Sequence, residues 1–480
     1  MYIPKSLIVA GCVFLACGTS IAQTSKDKVL ENLSKKEMYY GSIAKQIWNY
    51  AELGYLETKS SALLQQTLEK EGFKIQKGVA EIPTAFTAEF GSGKPVIGIL
   101  GEYDALPGLS QDSTAEKKAI LNGGSGHACG HHLFGTASAA TAIAVKDWMK
   151  ANNIKGTIRF YGAPAEEGGS GKVYLVRAGL FNDVDAVIHW HPGASNGANA
   201  GTSLANKSAK FRFYGVSAHA AGAPEKGRSA LDGVEAMNYM VNMMREHIPS
   251  DSRVHYVITN GGKAPNVVPD FAEVYYYARH NQRDVVMDIW NRIEKAAQGA
   301  AMGTGTRVEV EVIGGTYELL PITALAQVMH QNLSKVGGFE YTAEEKEFAE
   351  KIVKSMGIEA PNYAKASGVE PFKADGNTSA GGSTDVGDVS WAVPTVGLST
   401  ATWVPGTPAH SWQAVAAGGM SIGRKGMMVA AKTMSLTAME LFENPELIKK
   451  AWAEFEQKRG KNFKYVSLLG DRKPALDYRK

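Results

Sequence analysis

The sequence predicts an α/β protein: a larger domain with helices around a largely parallel sheet, split by a smaller α+β domain. Three observations predict it. Short apolar runs of buried-strand type alternate with stretches of helical length and period. The middle of the chain reads instead as strand, helix, strand, strand, helix, strand. A polar cluster follows each apolar run of the first half, where open α/β sheets build their sites.

The elements follow in order. Residues 39–72 read as helix, with apolar faces at Ile43, Ile47, Leu63, Leu64 and Leu68 and an interruption near Gly54. Pro95 to Gly101 (PVIGILG) is a buried strand. Thr136 to Met149 (TASAATAIAVKDWM) is a buried, alanine-rich helix. Thr157 to Gly162 (TIRFYG) and Asp185 to Trp190 (DAVIHW) are further strands. Ala209 to Tyr214 (AKFRFY) alternates as a half-exposed strand. A helix over 228–246, strands Val254–Thr259 and Ala272–Ala278, a helix over 281–302 and a strand at Arg307–Ile313 complete the inserted unit. The predicted organisation is an export segment at 1–22, the larger domain at 23–205 and 317–480, and the insertion at 206–316. Residues 320–480 read as helix and loop, with a mobile loop over Gly368–Asp388 and a charged tail on the surface.

Composition bounds the function. The chain has 480 residues, 44% hydrophobic and 21% charged, with a formal net charge of +3. No dense Lys/Arg block or basic stripe with interleaved aromatics occurs, which argues against nucleic acid as a partner. Lys5, the apolar Leu7–Cys17 and the small residues of Ser20-Ile21-Ala22 read as an export signal, with a mature start near Gln23 and a periplasmic destination. The competing reading is a membrane-anchored lipoprotein lipidated at Cys17, with Cys12 the poorer candidate. On the first reading Cys129 is the one cysteine of the mature chain, which excludes an internal disulfide framework.

Cys129 sits in Gly126–His132 (GHACGHH), which holds three of the chain's eleven histidines. The stretch admits a structural zinc site, a cysteine nucleophile with a histidine base, or a catalytic metal site. A structural site would want a second cysteine. The other clusters are Glu102-Tyr103-Asp104, Glu166-Glu167 after an apolar strand and before Gly-Gly, and His191-Pro192. Each is weak alone; an Asp can cap a turn, and a Glu pair is usually a solvated surface. Their common placement favours the catalytic metal site.

The motifs GEYDALPGLSQ (101–111), GHACGHHLFGTA (126–137), FYGAPAEEGGSGK (160–172), WHP (190–192), SAHAAGAPEKGRSALD (217–232), PNVVP (265–269), STDVGDVSW (383–391) and GTPAHSWQ (406–413) run in order along nearly the whole mature chain. With them the sequence resembles the co-catalytic di-metal amidohydrolases and exopeptidases, the family of carboxypeptidase G, aminoacylase and the auxin-conjugate hydrolases. The resemblance implies a phosphorylase/hydrolase-like catalytic domain and a ferredoxin-like dimerisation domain. It implies two divalent metal ions per subunit, zinc or manganese, on Cys129, His131, Glu167, His191 and His410. Glu166 is then the general base, Asp104 supports the site, and His127 and His132 either support the ligands or pack beside them. His219 is the donor to the oxyanion, acting in a partner's site. Asn266 and Arg279 hold the substrate's free carboxylate, which suits an Arg fork. Gly382–Asp385 and Gly406–Thr407 match loops over the substrate.

The implied reaction is cleavage of an N-acyl or N-aroyl amino acid, with p-aminobenzoyl-glutamate the best substrate and an exported dipeptidase or aminoacylase of other preference the alternative. The implied partners are a second copy and a subunit of another type. Much of the family carries an aspartate where Cys129 stands, bridging the metals. A cysteine amidase using Cys129 predicts activity that survives chelation. A non-catalytic binding protein predicts a missing base or ligand, and every matched position is filled.

Overall fold

The computed structural model describes residues 17–374 and 381–479. Its first elements are helices α1 (Cys17–Lys35), α2 (Glu37–Tyr50) and α3 (Thr58–Lys70), then strands β1 (Lys74–Lys77), β2 (Phe86–Ser92) and β3 (Val96–Gly101). Next come α4 (His131–Asn152), β4 (Gly156–Gly162), a single irregular turn α5 (Glu166–Gly169), α6 (Gly171–Arg177) and β5 (Ala186–Gly193). The insertion comprises β6 (Ala205–Tyr214), α7 (Ala230–Met244), β7 (Arg253–Asn260), β8 (Phe271–His280), α8 (Arg283–Thr304) and β9 (Arg307–Thr316). The chain continues through α9 (Thr323–Val336), α10 (Ala343–Lys354), α11 (Ala364–Ser367), α12 (Val386–Ala392), β10 (Thr395–Ala401), α13 (Trp412–Gly418), α14 (Ser421–Glu443) and α15 (Pro445–Arg459).

The larger sheet has the order β1-β2-β4-β3-β5-β10. The four strands from β4 to β10 are parallel, and β1 and β2 add an antiparallel edge. Every residue of β3 is buried, because parallel sheets are covered on both faces and lack polar alternation. Helix α4 lies on β3 and against α14. Its small side chains Ala137, Ala139, Ala140, Ala142 and Ala144 are all buried, and they let the helix sit deep between its neighbours. Apolar burial of this kind supplies the main drive for folding.

The smaller sheet has the order β7-β8-β6-β9 and is antiparallel throughout. With α7 and α8 connecting its strands, this is the ferredoxin-like arrangement. Phe211, Phe213, Met237, Tyr276 and Trp290 fill its core. Helix α7 starts at Ser229, whose side chain accepts from the Asp232 N–H. Strand β7 lies at the sheet edge with Tyr256, Val257 and Ile258 exposed.

The structure adds α1, β1 and β2, which the sequence reading did not place, and differs from it in three more places. Strand β10 stands where only helix and loop were expected; its Gly397 passes so close to the His189 ring that a Cβ would clash. Residues 375–380 of the expected mobile loop lie outside the described residues, yet its end is no loop. Asp385 and Asp388 are buried, and Val386 starts α12. The charged tail is also more than surface. Leu468 and Leu469 are buried, and Arg472 donates from one guanidinium nitrogen to the carbonyls of Val312 and Ile313, each at 2.6 Å. Most of the expected export segment, residues 1–16, lies outside the described residues.

Candidate active site

The carboxyl ends of the parallel strands carry the site. Strand β3 leads into Glu102 and Asp104, β4 into Glu166 and Glu167, and His191 stands on β5 itself. Strand β10 leads toward His410. Between β3 and β4, Gly130 takes a left-handed conformation (φ 78°), and a Cβ there would lie 2.7 Å from Pro192. This tight turn puts Cys129 just outside α4 and makes His131 its first residue.

Two groups of donors converge. Cys129, His131 and His191 offer ligand atoms within 4.8 Å of one another, and so do Cys129, Glu167 and His410. Cys129 belongs to both. Its Sγ lies 3.4 Å from His191 Nε2, and His410 Nε2 lies 3.1 Å from Glu167 Oε1. His131 Nδ1 is 2.9 Å from Asp104 Oδ1, leaving Nε2 toward the pocket. His191 Nδ1 donates to the Pro192 carbonyl at 2.7 Å, leaving its Nε2 toward Cys129. That is how metal-binding histidines are oriented by their other nitrogen. His131 Nε2 faces Glu102 Oε2 at 3.1 Å and Glu167 Oε1 faces His410 Nε2 at 3.1 Å, yet neither pair has hydrogen-bond geometry, as expected of ligand atoms that share a cation. Sulfur, imidazole and carboxylate suit zinc or manganese, so the residues present fit two divalent ions.

A third group, Glu102, His131 and Glu166, places the Glu166 carboxylate next to the first two. Withdrawal from water, then the nearby Glu102 and Glu167 carboxylates, raise the Glu166 pKa well above the ordinary value. Burial also pushes the Cys129 thiol up. Burial opposes charge on His131, but Cys129, Asp104 and Glu102 outweigh it and hold its pKa well above normal. His191 goes down to about 4, through burial first and His131 second.

Sequence reasoning missed three supporting residues, Lys172, Asp385 and Glu57. Lys172 is fully buried, with Nζ 2.6 Å from Glu102 Oε1 and 2.6 Å from Asp385 Oδ1. Glu57 is buried and accepts the Ala165 N–H at 2.8 Å. Burial, then Asp104, pushes Glu57 up to about 8. Lys172 and Asp385 lie inside the stretches FYGAPAEEGGSGK and STDVGDVSW, but nothing in either marked this part, and Glu57 lies in no such stretch. His127 Nε2 meets the Ile47 carbonyl at 3.1 Å and His132 Nε2 the Gly418 carbonyl at 3.0 Å, and neither belongs to the converging donor groups.

His219, Asn266 and Arg279 lie in the smaller domain. His219 pairs with Val267 in an isolated bridge, and the Asn266 carbonyl accepts the Ala220 N–H, which brings these two together. Both are exposed, and Arg279 is half-buried beside Tyr277 on β8. Among the described residues no hydrogen bond or ion pair joins any of the three to the Cys129 cluster. Of the loops matched at Gly382–Asp385 and Gly406–Thr407, only Asp385 is, among the described residues, tied to the site, through Lys172.

Donors of this kind gathered at the strand ends, with a buried glutamate beside them, define a metal-dependent enzyme site. The chain belongs to the M20 peptidase family, as a metallo-amidohydrolase. Residues 205–303 match the family's peptidase dimerisation domain. The chain is 43% identical over 443 residues to one of the named subunits of the p-aminobenzoyl-glutamate hydrolase of Escherichia coli, covering 87% of this chain and 92% of that one. It is 28% identical to the human Xaa-Arg dipeptidase over 92% of this chain and 95% of the relative. In fold it is similar to a Bacillus subtilis protein described as a dinuclear metal-binding peptidase of the M20 family, with a TM-score of 0.57, 18% identity and coverage of 85% and 99%.

Proposed function

We propose that the chain hydrolyses p-aminobenzoyl-glutamate to p-aminobenzoate and glutamate at a centre of two divalent metal ions, zinc or manganese. The observation that carries this reading is the place of Cys129, shared by both ligand groups, with the Glu166 carboxylate beside them. Cys129, His131, Glu167, His191 and His410 hold the ions, which when bound lower the pKa of a water and polarise the scissile carbonyl. Glu166 takes the water's proton and delivers it to the leaving nitrogen. Asp104 takes up His131 Nδ1, which would leave Nε2 as the ligand atom.

The substrate's own charge is met from the smaller domain. Arg279 and Asn266 take the free carboxylate, and His219 donates to the tetrahedral oxyanion. Exposure of His219, with no bond to its own chain's cluster, supports a part in the second copy of a homodimer. The Escherichia coli relative is named as one component of a hydrolase with more than one kind of chain, which supports a partner of another type. The N-terminal pattern supports export to the periplasm, or anchoring as a lipoprotein through Cys17. A dipeptide substrate is the second reading, favoured by the near full-length likeness to the Xaa-Arg dipeptidase.

The test is hydrolysis of p-aminobenzoyl-glutamate beside a dipeptide panel, with protein stripped by chelator and reloaded with zinc or manganese. Metal-restored cleavage, absent in Glu166→Ala, is the expected result. Activity that survives full metal removal would return Cys129 to the role of nucleophile.

A further inference from the structure

The turn that carries Glu166 and Glu167 has little regular structure of its own. Ala165 and Ser170 take left-handed conformations (φ 57° each), and inside the turn Glu167 (ψ 68°) and Gly168 (φ 91°) leave the helical region. Side chains from elsewhere hold its backbone. Glu57 accepts the Ala165 N–H, Asp104 Oδ2 accepts the Glu167 N–H at 2.8 Å, and the Tyr55 hydroxyl donates to the Gly169 carbonyl at 2.7 Å.

The Glu167 carbonyl is held by the other end of the chain. The Tyr478 hydroxyl donates to it at 3.0 Å, and an Arg479 guanidinium nitrogen donates at 2.7 Å. A carbonyl oxygen has two lone pairs, and both are used here. The Tyr478 ring packs edge-on against Tyr55 at 5.6 Å, and the Arg479 guanidinium lies 4.8 Å from the Tyr478 ring centre. Gly54 makes the room: a Cβ there would collide with the Tyr478 hydroxyl. The segment is anchored before it arrives. The Tyr174 hydroxyl donates to the Lys473 carbonyl, Arg177 donates to the Arg472 carbonyl, and Arg472 itself grips β9 of the smaller domain.

We infer that Tyr478 and Arg479 are positioning residues of the active site, which fix the backbone at Glu167 through its carbonyl and thereby the direction of the Glu166 and Glu167 carboxylates. The two peptide units that flank the Glu167 Cα are each held, the first by Asp104 at the Glu167 N–H and the second by the tail at the Glu167 carbonyl. Rotation of either unit about the Cα would swing the ligand carboxylate away from His410. The inference rests on the dinuclear reading of the site given above.

The experiment uses the full chain with Tyr478→Phe and Arg479→Met combined. Zinc affinity is read by competition against a chromophoric chelator, beside kcat, KM and thermal stability. Loss of groups that orient metal ligands typically costs about 10- to 100-fold in metal affinity or activity, and a loss in that range is expected in both zinc affinity and kcat, with KM changed less than about 3-fold. Arg479→Lys, which keeps a donor, recovers part of the loss. Lys473→Ala, an exposed side chain on the same segment, changes neither quantity. Zinc affinity and kcat within about 2-fold of wild type in the double variant would overturn the inference, as would an equal loss in Lys473→Ala. If the double variant does not fold, Tyr478→Phe alone decides, since only a hydroxyl is lost; unchanged zinc affinity and kcat there overturn the inference. A wild-type protein that cleaves no amide with metal present would refute the proposed function alone, because the zinc competition reads the clamp without any substrate.

Discussion

Replacing Lys172 by methionine removes the cation from a sealed group of charges. Lys172, Glu102 and Asp385 are each no more than 1% exposed, and both ion pairs are 2.6 Å. Without the ammonium, two carboxylates face each other away from water, and Glu102 keeps only His131 Nε2, at 3.1 Å. Removing one member of a buried pair costs about 3–5 kcal/mol. The unfolding entropy of the larger domain, about 350 residues at ~2.1 cal/mol/K each, is roughly 0.7 kcal/mol/K, so the melting temperature should fall by about 4–7 °C. The loss should grow with pH. A carboxylate whose folded pKa is raised costs nothing while protonated in both states, and the penalty accumulates from its unfolded pKa, about 4, up to the folded value. Scanning calorimetry at pH 5 and pH 8 measures both effects. The neutral triple variant Glu102→Gln, Lys172→Met, Asp385→Asn should recover much of the loss, because a buried ion group can be replaced as a whole with little penalty. A single variant within about 1 °C of wild type at pH 8, or a triple variant no more stable than the single, would refute the reasoning.

Three further outcomes are expected. Asp388 accepts from the Tyr465 hydroxyl and the Tyr317 N–H, yet burial, helped by Asp385, pushes it up to about 7. Its ionisation therefore opposes folding from about pH 4 to 7, and Asp388→Asn should gain stability over wild type across that window, by at most about 4 kcal/mol above it, read as melting temperature against pH. Gly130→Ala forces a left-handed alanine against Pro192, which should cost about 1–2 kcal/mol in strain alone and weaken zinc binding at Cys129 and His131, read by calorimetry and chelator competition. Chelation should lower the melting temperature, since a ligand at 100 times its Kd contributes about 2.7 kcal/mol, and Glu167→Ala should respond less to the chelator.

The parallel core was legible because strands buried on both faces are written as unbroken apolar runs, as in PVIGILG and DAVIHW. The smaller domain was legible from its strand and helix order. Strand β10 was not, because TVGLSTA mixes glycine and hydroxyls into a buried strand; Thr400 meets its need by donating to the Gly426 carbonyl. The donors of the Cys129 cluster could be found because most of them follow or stand on a strand. Lys172 could not be placed, since its partners Glu102 and Asp385 lie 70 residues before it and 213 after it, and nothing local marks a lysine for burial. The tail misled for a related reason. Charged residues read as solvated, and only the fold shows Arg472 and Arg479 committing their donors to backbone carbonyls.

The position of β10 at the edge of the larger sheet bears on how the chain folds as it is made. The smaller domain is one continuous stretch and can close by itself during synthesis. The larger sheet cannot. Strand β5 ends at Gly193 and its neighbour β10 begins only at Thr395. At about 5–20 residues per second, the ribosome needs roughly 10–40 s to supply that partner. Throughout that interval the outer edge of β5, apolar and unpaired, is a template for the wrong strand. Nascent chains should therefore aggregate more readily when stalled between these two strands than when stalled after Ala401, and a holding chaperone should matter most in that window.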